Sequence, residues 1–99
     1  MVRLVNVERC LTQLGESDEK YARFKAYYLA KKELLKSVYS LEFLETESGT
    51  VENRKATAYA SVKYQQAVHD YKDACRDYET VRAQRLTYQL TVEIWRSLS

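Results

Sequence analysis

From Tyr64 to Trp95 the chain alternates large and small residues at steps of three and four: Tyr64, Ala67, Tyr71, Ala74, Tyr78, Val81, Arg85, Tyr88, Val92 and Trp95. Side chains at this spacing share one face of an α-helix. A seven-residue period is the seam of a helix that lies along another helix. The spacing predicts a helix over residues 62–97, on the order of 50 Å long at about 1.5 Å per residue. Such a stripe cannot be buried by its own helix. It must pack on residues 17–45, on residues 2–14, or on another copy. Large tyrosines alternating with small alanines suit facing positions of complementary size. The tyrosine hydroxyls need partners, so the seam should be half wet or edged by polar groups.

The rest of the chain is read as helical too. There is no proline, and Gly15 and Gly49 are the only glycines among 99 residues. Leu4, Val7, Leu11 and Leu14 predict a first helix over residues 2–14, with Gly15 placed as its C-terminal cap. Ser17 is placed to cap a second helix over residues 17–45, with Asp18 and Glu19 in its first turn. Its face holds Tyr21, Phe24, Tyr28, Leu35 and Val38, broadened by Tyr27, Leu34 and Leu41. Thr46-Glu47-Ser48-Gly49 reads as a turn and Thr50 as the N-cap of a short helix over residues 50–60. Val51, Ala58, Tyr59 and Val62 do not share a phase with the seam that begins at Tyr64, so Ser61 marks a kink or a fresh N-cap. The expected fold is all-α, an extended antiparallel helical hairpin or small bundle, in a single domain over residues 1–99.

Charge and cysteine usage narrow the function classes. Sixteen basic and fourteen acidic side chains leave +2, too near balance to argue nucleic-acid binding by itself. The longest apolar run is Ala26-Tyr27-Tyr28-Leu29-Ala30, far short of the roughly 20 residues of a membrane span. Glu8 and Arg9 interrupt any signal-like stretch. Cys10 and Cys75 form no Cys-x-x-Cys and read as two reduced thiols in a cytoplasmic chain. His69, the only histidine, falls at the heptad position opposite the seam, where no pocket orients it. Gln66 stands where a Glu-x-x-His metal motif needs its glutamate, and there is no phosphate-cradling glycine loop and no zinc spacing. The reading is therefore no enzyme, no metal and no cofactor. Asp70, Asp73 and Asp77 with Lys72 and Arg76 read as an exposed salt-laced face.

Two features point to binding. Arg85 occupies a seam position, where a charge must be paired, hydrated or exposed. Glu8 or Glu16 is within its reach if the N-terminal segment folds back. Otherwise Arg82, Arg85, Tyr88, Trp95 and Arg96 make a partner-binding cluster of the residue types enriched at interface hot spots. The alternative is nucleic acid: Lys25, Lys32 and Lys36 form a stripe interleaved with Tyr21 and Tyr28, the composition of a groove that stacks bases and neutralises phosphates. The apolar stripes exceed what two crossing helices hide, so a homo-oligomer is expected as well.

Over residues 50–97 the pieces Thr50-Val51-Glu52-Asn53-Arg54-Lys55-Ala56, Ser61-Val62-Lys63-Tyr64-Gln65-Gln66-Ala67, Tyr78-Glu79-Thr80-Val81-Arg82-Ala83 and Ile94-Trp95-Arg96-Ser97 resemble short α-helical proteins of unassigned activity encoded by tailed bacteriophages. The resemblance covers about half the chain. It implies a phage or prophage setting near recombination and replication genes, and assigns no active site. The expected function is a non-enzymatic interaction protein in the host cytoplasm, acting on a DNA-processing or host-defence protein. The alternative is a small DNA-binding accessory protein.

Overall fold

The computed structural model describes residues 3–46 and 48–98. It is all-α, with three helices among the described residues: α1 Leu4–Glu45, α2 Val51–Ala60 and α3 Val62–Leu98. The turn expected at 46–49 and the boundaries of α2 and α3 fall where the sequence places them, although Glu47 in that turn lies outside the described residues. So does residue 2, where the first helix was expected to begin.

The N-terminal half differs. Residues 4–45 are one helix of 42 residues, not two. Gly15 is not a cap; it lies inside the helix without a positive φ, which among the described residues only Gly49 has (102°). Ser17 is not an N-cap either. Its Oγ donates to the Leu14 carbonyl at 3.2 Å. The reason is that the seam does not stop at Leu14. Val7, Cys10, Leu14, Ser17, Tyr21 and Phe24 keep the three–four spacing, and each is buried or half-buried. The packing interval runs through the glycine, and a glycine inside a helix costs only about 1 kcal/mol against alanine. Leu4 and Leu11, expected on the buried face, flank it and stay about half exposed (55% and 49%). A Cβ at Gly15 would meet nothing within 4 Å. Gly15→Ala is therefore expected to stabilise the protein by about 0.5–1 kcal/mol, read as a higher urea midpoint.

Contacts gather the chain into two compact units: a terminal unit of Met1–Lys25 with Arg76–Ser99, and a central unit of Ala26–Cys75. In the terminal unit α1 and α3 run antiparallel. Tyr21 meets Tyr78 with ring centroids 5.7 Å apart, and farther along Leu14 meets Arg85. Val7, Val81 and Val92 are its buried apolar side chains.

The central unit adds α2 to an antiparallel α1–α3 pair, in which Tyr28 stacks on Tyr71 at 5.7 Å. Ala58 and Ala67, 1% and 9% exposed, let the helices approach closely. Tyr39 of α1 meets Tyr59 of α2 at 4.7 Å and Tyr64 of α3 at 5.9 Å. Thr50 caps α2 as expected, accepting from the Asn53 N–H at 3.2 Å. Ser61 does both jobs its position suggests: its N–H bonds back to the Ala58 carbonyl at 3.3 Å, and its Oγ accepts from the Tyr64 N–H at 3.1 Å. The last turn of α1 has no basic residue of its own. Arg54 of α2 supplies one, donating to the Phe43 carbonyl at 3.2 Å with its guanidinium 4.4 Å from the Phe43 ring. A cation at a helix C-terminus satisfies an orphan carbonyl and complements the dipole.

Candidate functional site

The α3 seam is occupied as the sequence spacing requires. Ala67, Ala74, Val81 and Val92 are buried, and Tyr64, Tyr71, Tyr78, Arg85, Tyr88 and Trp95 are half-buried. This changes what the partner-binding cluster can offer. Arg85 is turned inward, its side chain 16% exposed. Its Nη2 lies 2.8 Å from Asp18 Oδ1, and its Nη1 donates to the Leu14 carbonyl at 2.9 Å and to Ser17 Oγ at 2.8 Å. The guanidinium also sits 4.9 Å from the Tyr21 ring centroid. Neither Glu8 nor Glu16 is the partner. Asp18 is, because it lies one residue beyond Ser17 on the face opposite Arg85, whereas Glu8 and Glu16 belong to other positions of the helix. The charge that looked available to a partner is consumed inside the fold.

Tyr88 and Trp95 share that inward face. Arg82 and Arg96 are exposed on its shoulder, with Arg82 Nη1 3.2 Å from Glu79 Oε2. A groove of about 240 Å³ lined by Tyr21, Arg82, Arg85, Leu86 and Gln89 opens beside them. On the outward face of α3 stand Leu90 and Ile94, with Leu86 between that face and the groove it helps to line, all about half exposed (48%, 48% and 50%). Leu90 lies about 180° from the middle of the seam at about 100° per residue. These three were not singled out from the sequence. The available signal was their four-residue spacing, masked by the stronger pattern of the seam on the same helix.

The nucleic-acid reading loses its rings. Tyr21 and Tyr28 are half-buried in the seam, each with its ring packed on Tyr78 or Tyr71 rather than presented outward with the lysines. Lys25, Lys32 and Lys36 are exposed, and Lys36 Nζ is 3.3 Å from Glu33 Oε1. Lys20 and Lys31 lie over Phe24 and Tyr27 at 5.6 and 5.2 Å from the ring centroids, covering aromatic surface with their own stems. His69 is exposed, with Nε2 3.5 Å from Asp73 Oδ2, and Gln66 donates to Asp70 at 2.9 Å along the salt-laced face. Cys10 and Cys75 are free, half-buried thiols. Among the described residues no group of three or more His, Cys, Asp or Glu side chains converges, and no helix is long and apolar enough to cross a membrane.

Two tyrosines are electrostatically distinct. The Tyr78 pKa is raised above its ordinary 10.0, first by the hydrogen bond with the Tyr21 hydroxyl and then by burial. The two oxygens are 3.4 Å apart, a long bond. Tyr39 is raised mainly by burial, then by Tyr59. A raised folded pKa means folding favours the neutral phenol. The stability linked to it is present below the ordinary value of 10.0 and is lost as pH rises through the raised folded value. A lower urea midpoint at alkaline pH is the expected outcome, with phenolate absorbance rising later than in the urea-unfolded chain. Tyr21→Phe should return the Tyr78 transition towards the ordinary value.

No protein-family profile, curated protein or solved structure matches the chain.

Proposed function

We propose that the protein is a non-enzymatic helical interaction protein, phage-encoded and acting in the host cytoplasm, that binds and modulates a DNA-processing or host-defence protein. The phage setting rests on the resemblance of residues 50–97. The binding reading rests on one observation: the C-terminal half of α3 carries an apolar outer face, Leu86, Leu90 and Ile94, with Arg82 and Arg96 exposed along one shoulder. Apolar anchors rimmed by arginine are the composition of a protein interface. The arginine–aromatic cluster is thus carried by its exposed members and their apolar neighbours, while Arg85, Tyr88 and Trp95 support the face from behind.

The test is affinity capture from a bacterial lysate with the native chain and with Leu86→Glu/Leu90→Glu. The native chain is expected to retain a DNA-processing or defence protein, and the variant to lose it with its helical circular dichroism intact. Equal retention by both chains refutes the assignment. Direct DNA binding is separated by a mobility-shift titration with single-stranded and duplex oligonucleotides. Because the rings are engaged, no shift is expected even at low salt. A shift that weakens steeply with salt would reinstate the lysine stripe.

A further inference from the structure

Helix α1 carries a second seam. Tyr27, Ala30, Leu34, Ser37, Leu41 and Leu44 recur at alternating steps of three and four, one position ahead of the series Tyr28, Lys31, Leu35, Val38 and Glu42 that faces α3. One position is about 100° around a helix. All six residues are exposed, with Tyr27 at 55%, Leu34 at 46%, Leu41 at 59% and Leu44 at 68%. The whole series lies within the central unit. It borders a groove of about 480 Å³ whose apolar wall includes Leu34, Val38, Leu41, Val62 and Ala67, with Glu42, Glu45 and Asp70 joined by Lys63 and Gln66 around it. Helix α2 does not line this groove. A continuous heptad-spaced stripe of this kind, left in water, marks an interface.

From this seam we infer that the protein forms a two-fold dimer in which α1 of one copy lies antiparallel against α1 of another. Two observations select a second copy as the occupant. The first is charge. Residues 26–36 carry Lys31, Lys32 and Lys36 against Glu33, whereas residues 37–45 carry Glu42 and Glu45 and no base. Antiparallel packing brings Lys31, at the edge of the seam, alongside Glu42 in the partner's acidic half, while Lys32 projects from the far side of the helix. Parallel packing would place like charges together. Lys31 Nζ already stands over the Tyr27 ring, at the edge of the seam. The second is size. With the two-fold axis between Leu35 and Lys36, Leu34 faces Ser37 of the other copy and Leu41 faces Ala30. In these two pairs a large side chain meets a small one, as interlocking helices require, while at each end of the contact Tyr27 faces Leu44. A two-fold contact must be self-complementary in this way. The inference involves neither the α3 outer face nor any foreign partner.

Sedimentation equilibrium of the full chain over micromolar to submillimolar concentration tests it. The native chain is expected to be dimeric, and Leu34→Lys/Leu41→Lys to sediment as a monomer with unchanged helical circular dichroism. Leu86→Glu/Leu90→Glu should remain dimeric. A native chain that stays monomeric, or a dimer indifferent to the Leu34/Leu41 change, overturns the proposal. A second measurement stands even if that variant fails to fold. Zero-length carbodiimide crosslinking of mixed isotopically light and heavy native chains should yield mixed-isotope peptides joining Lys31 to Glu42 or Glu45. Mixed-isotope links confined to other positions, or their absence, also overturn it.

Discussion

Arg85→Ala is expected to lower stability by about 2–3 kcal/mol, because it removes charge-assisted hydrogen bonds from a largely buried site. The same site should accept leucine far better, with a loss below about 1 kcal/mol or a gain, since a buried ion replaced by a well-packed apolar side chain is often neutral or stabilising. Leucine restores the ordinary seam chemistry, and Ser17 Oγ keeps its own bond to the Leu14 carbonyl, so no hydroxyl is stranded. Asp18→Ala should cost less than about 1 kcal/mol, because pairs with an exposed member contribute little; the Asp18 side chain is 67% exposed. Arg85→Lys should behave more like alanine than like arginine, because the two nitrogens that reach Asp18 and the Leu14–Ser17 pair form a fork that an ammonium lacks. Urea midpoints of the four variants, monitored by helical circular dichroism, decide the matter. An Arg85→Ala midpoint equal to that of the native chain would show that the inward guanidinium contributes nothing.

Tyr39→Ala carries the other large effect, about 2–4 kcal/mol, as expected for truncating a well-packed aromatic side chain. Its ring touches one ring from each helix of the central unit, with Phe43 6.4 Å away on α1 itself. Tyr59 and Tyr64 also meet each other, at 5.4 Å. Removing Tyr39 leaves α2 attached through Ala58, the Arg54–Phe43 contact, the Tyr59–Tyr64 ring contact and the Gln65 bond to the Tyr59 carbonyl. A ten-residue helix is marginal without tertiary support. The amides of α2 should therefore exchange much faster in the variant while those around Val81 stay protected. Tyr39→Phe keeps the rings together and should cost less than about 1 kcal/mol. It also removes one of the raised phenols and so reduces the alkaline sensitivity.

The sequence exposed α3 more fully than α1, and the residues explain the contrast. In α3 the seam is written in tyrosine, alanine and valine, types that stand out from the charged residues between them. In α1 the same interval passes through Cys10, Ser17, Lys31 and Glu42, whose chemistry says surface while their position says contact. Gly15 and Ser17 then imitated a stop followed by a start. Local signals of that kind give way when uninterrupted packing on both sides favours one helix. Arg85 was legible as an anomaly, but its partner was not: the choice among Glu8, Glu16 and Asp18 depends on how two helices slide past one another, which spacing along one of them does not fix. The second α1 seam was visible only as a broadening of the first by Tyr27, Leu34 and Leu41. Counting it as a separate series requires knowing that one face is already taken.

Ser61 ends α2 and begins α3 with no spare residue between them. The angular phase of one helix relative to the next is thereby set in whole-residue steps. An added alanine at this junction would turn the α2 side chains by roughly 100°, carrying Tyr59 and Ala58 away from their neighbours together. Length at this joint is thus under tighter geometric control than composition, and natural or engineered variants of the chain should tolerate exchanges near residue 61 far more readily than insertions or deletions.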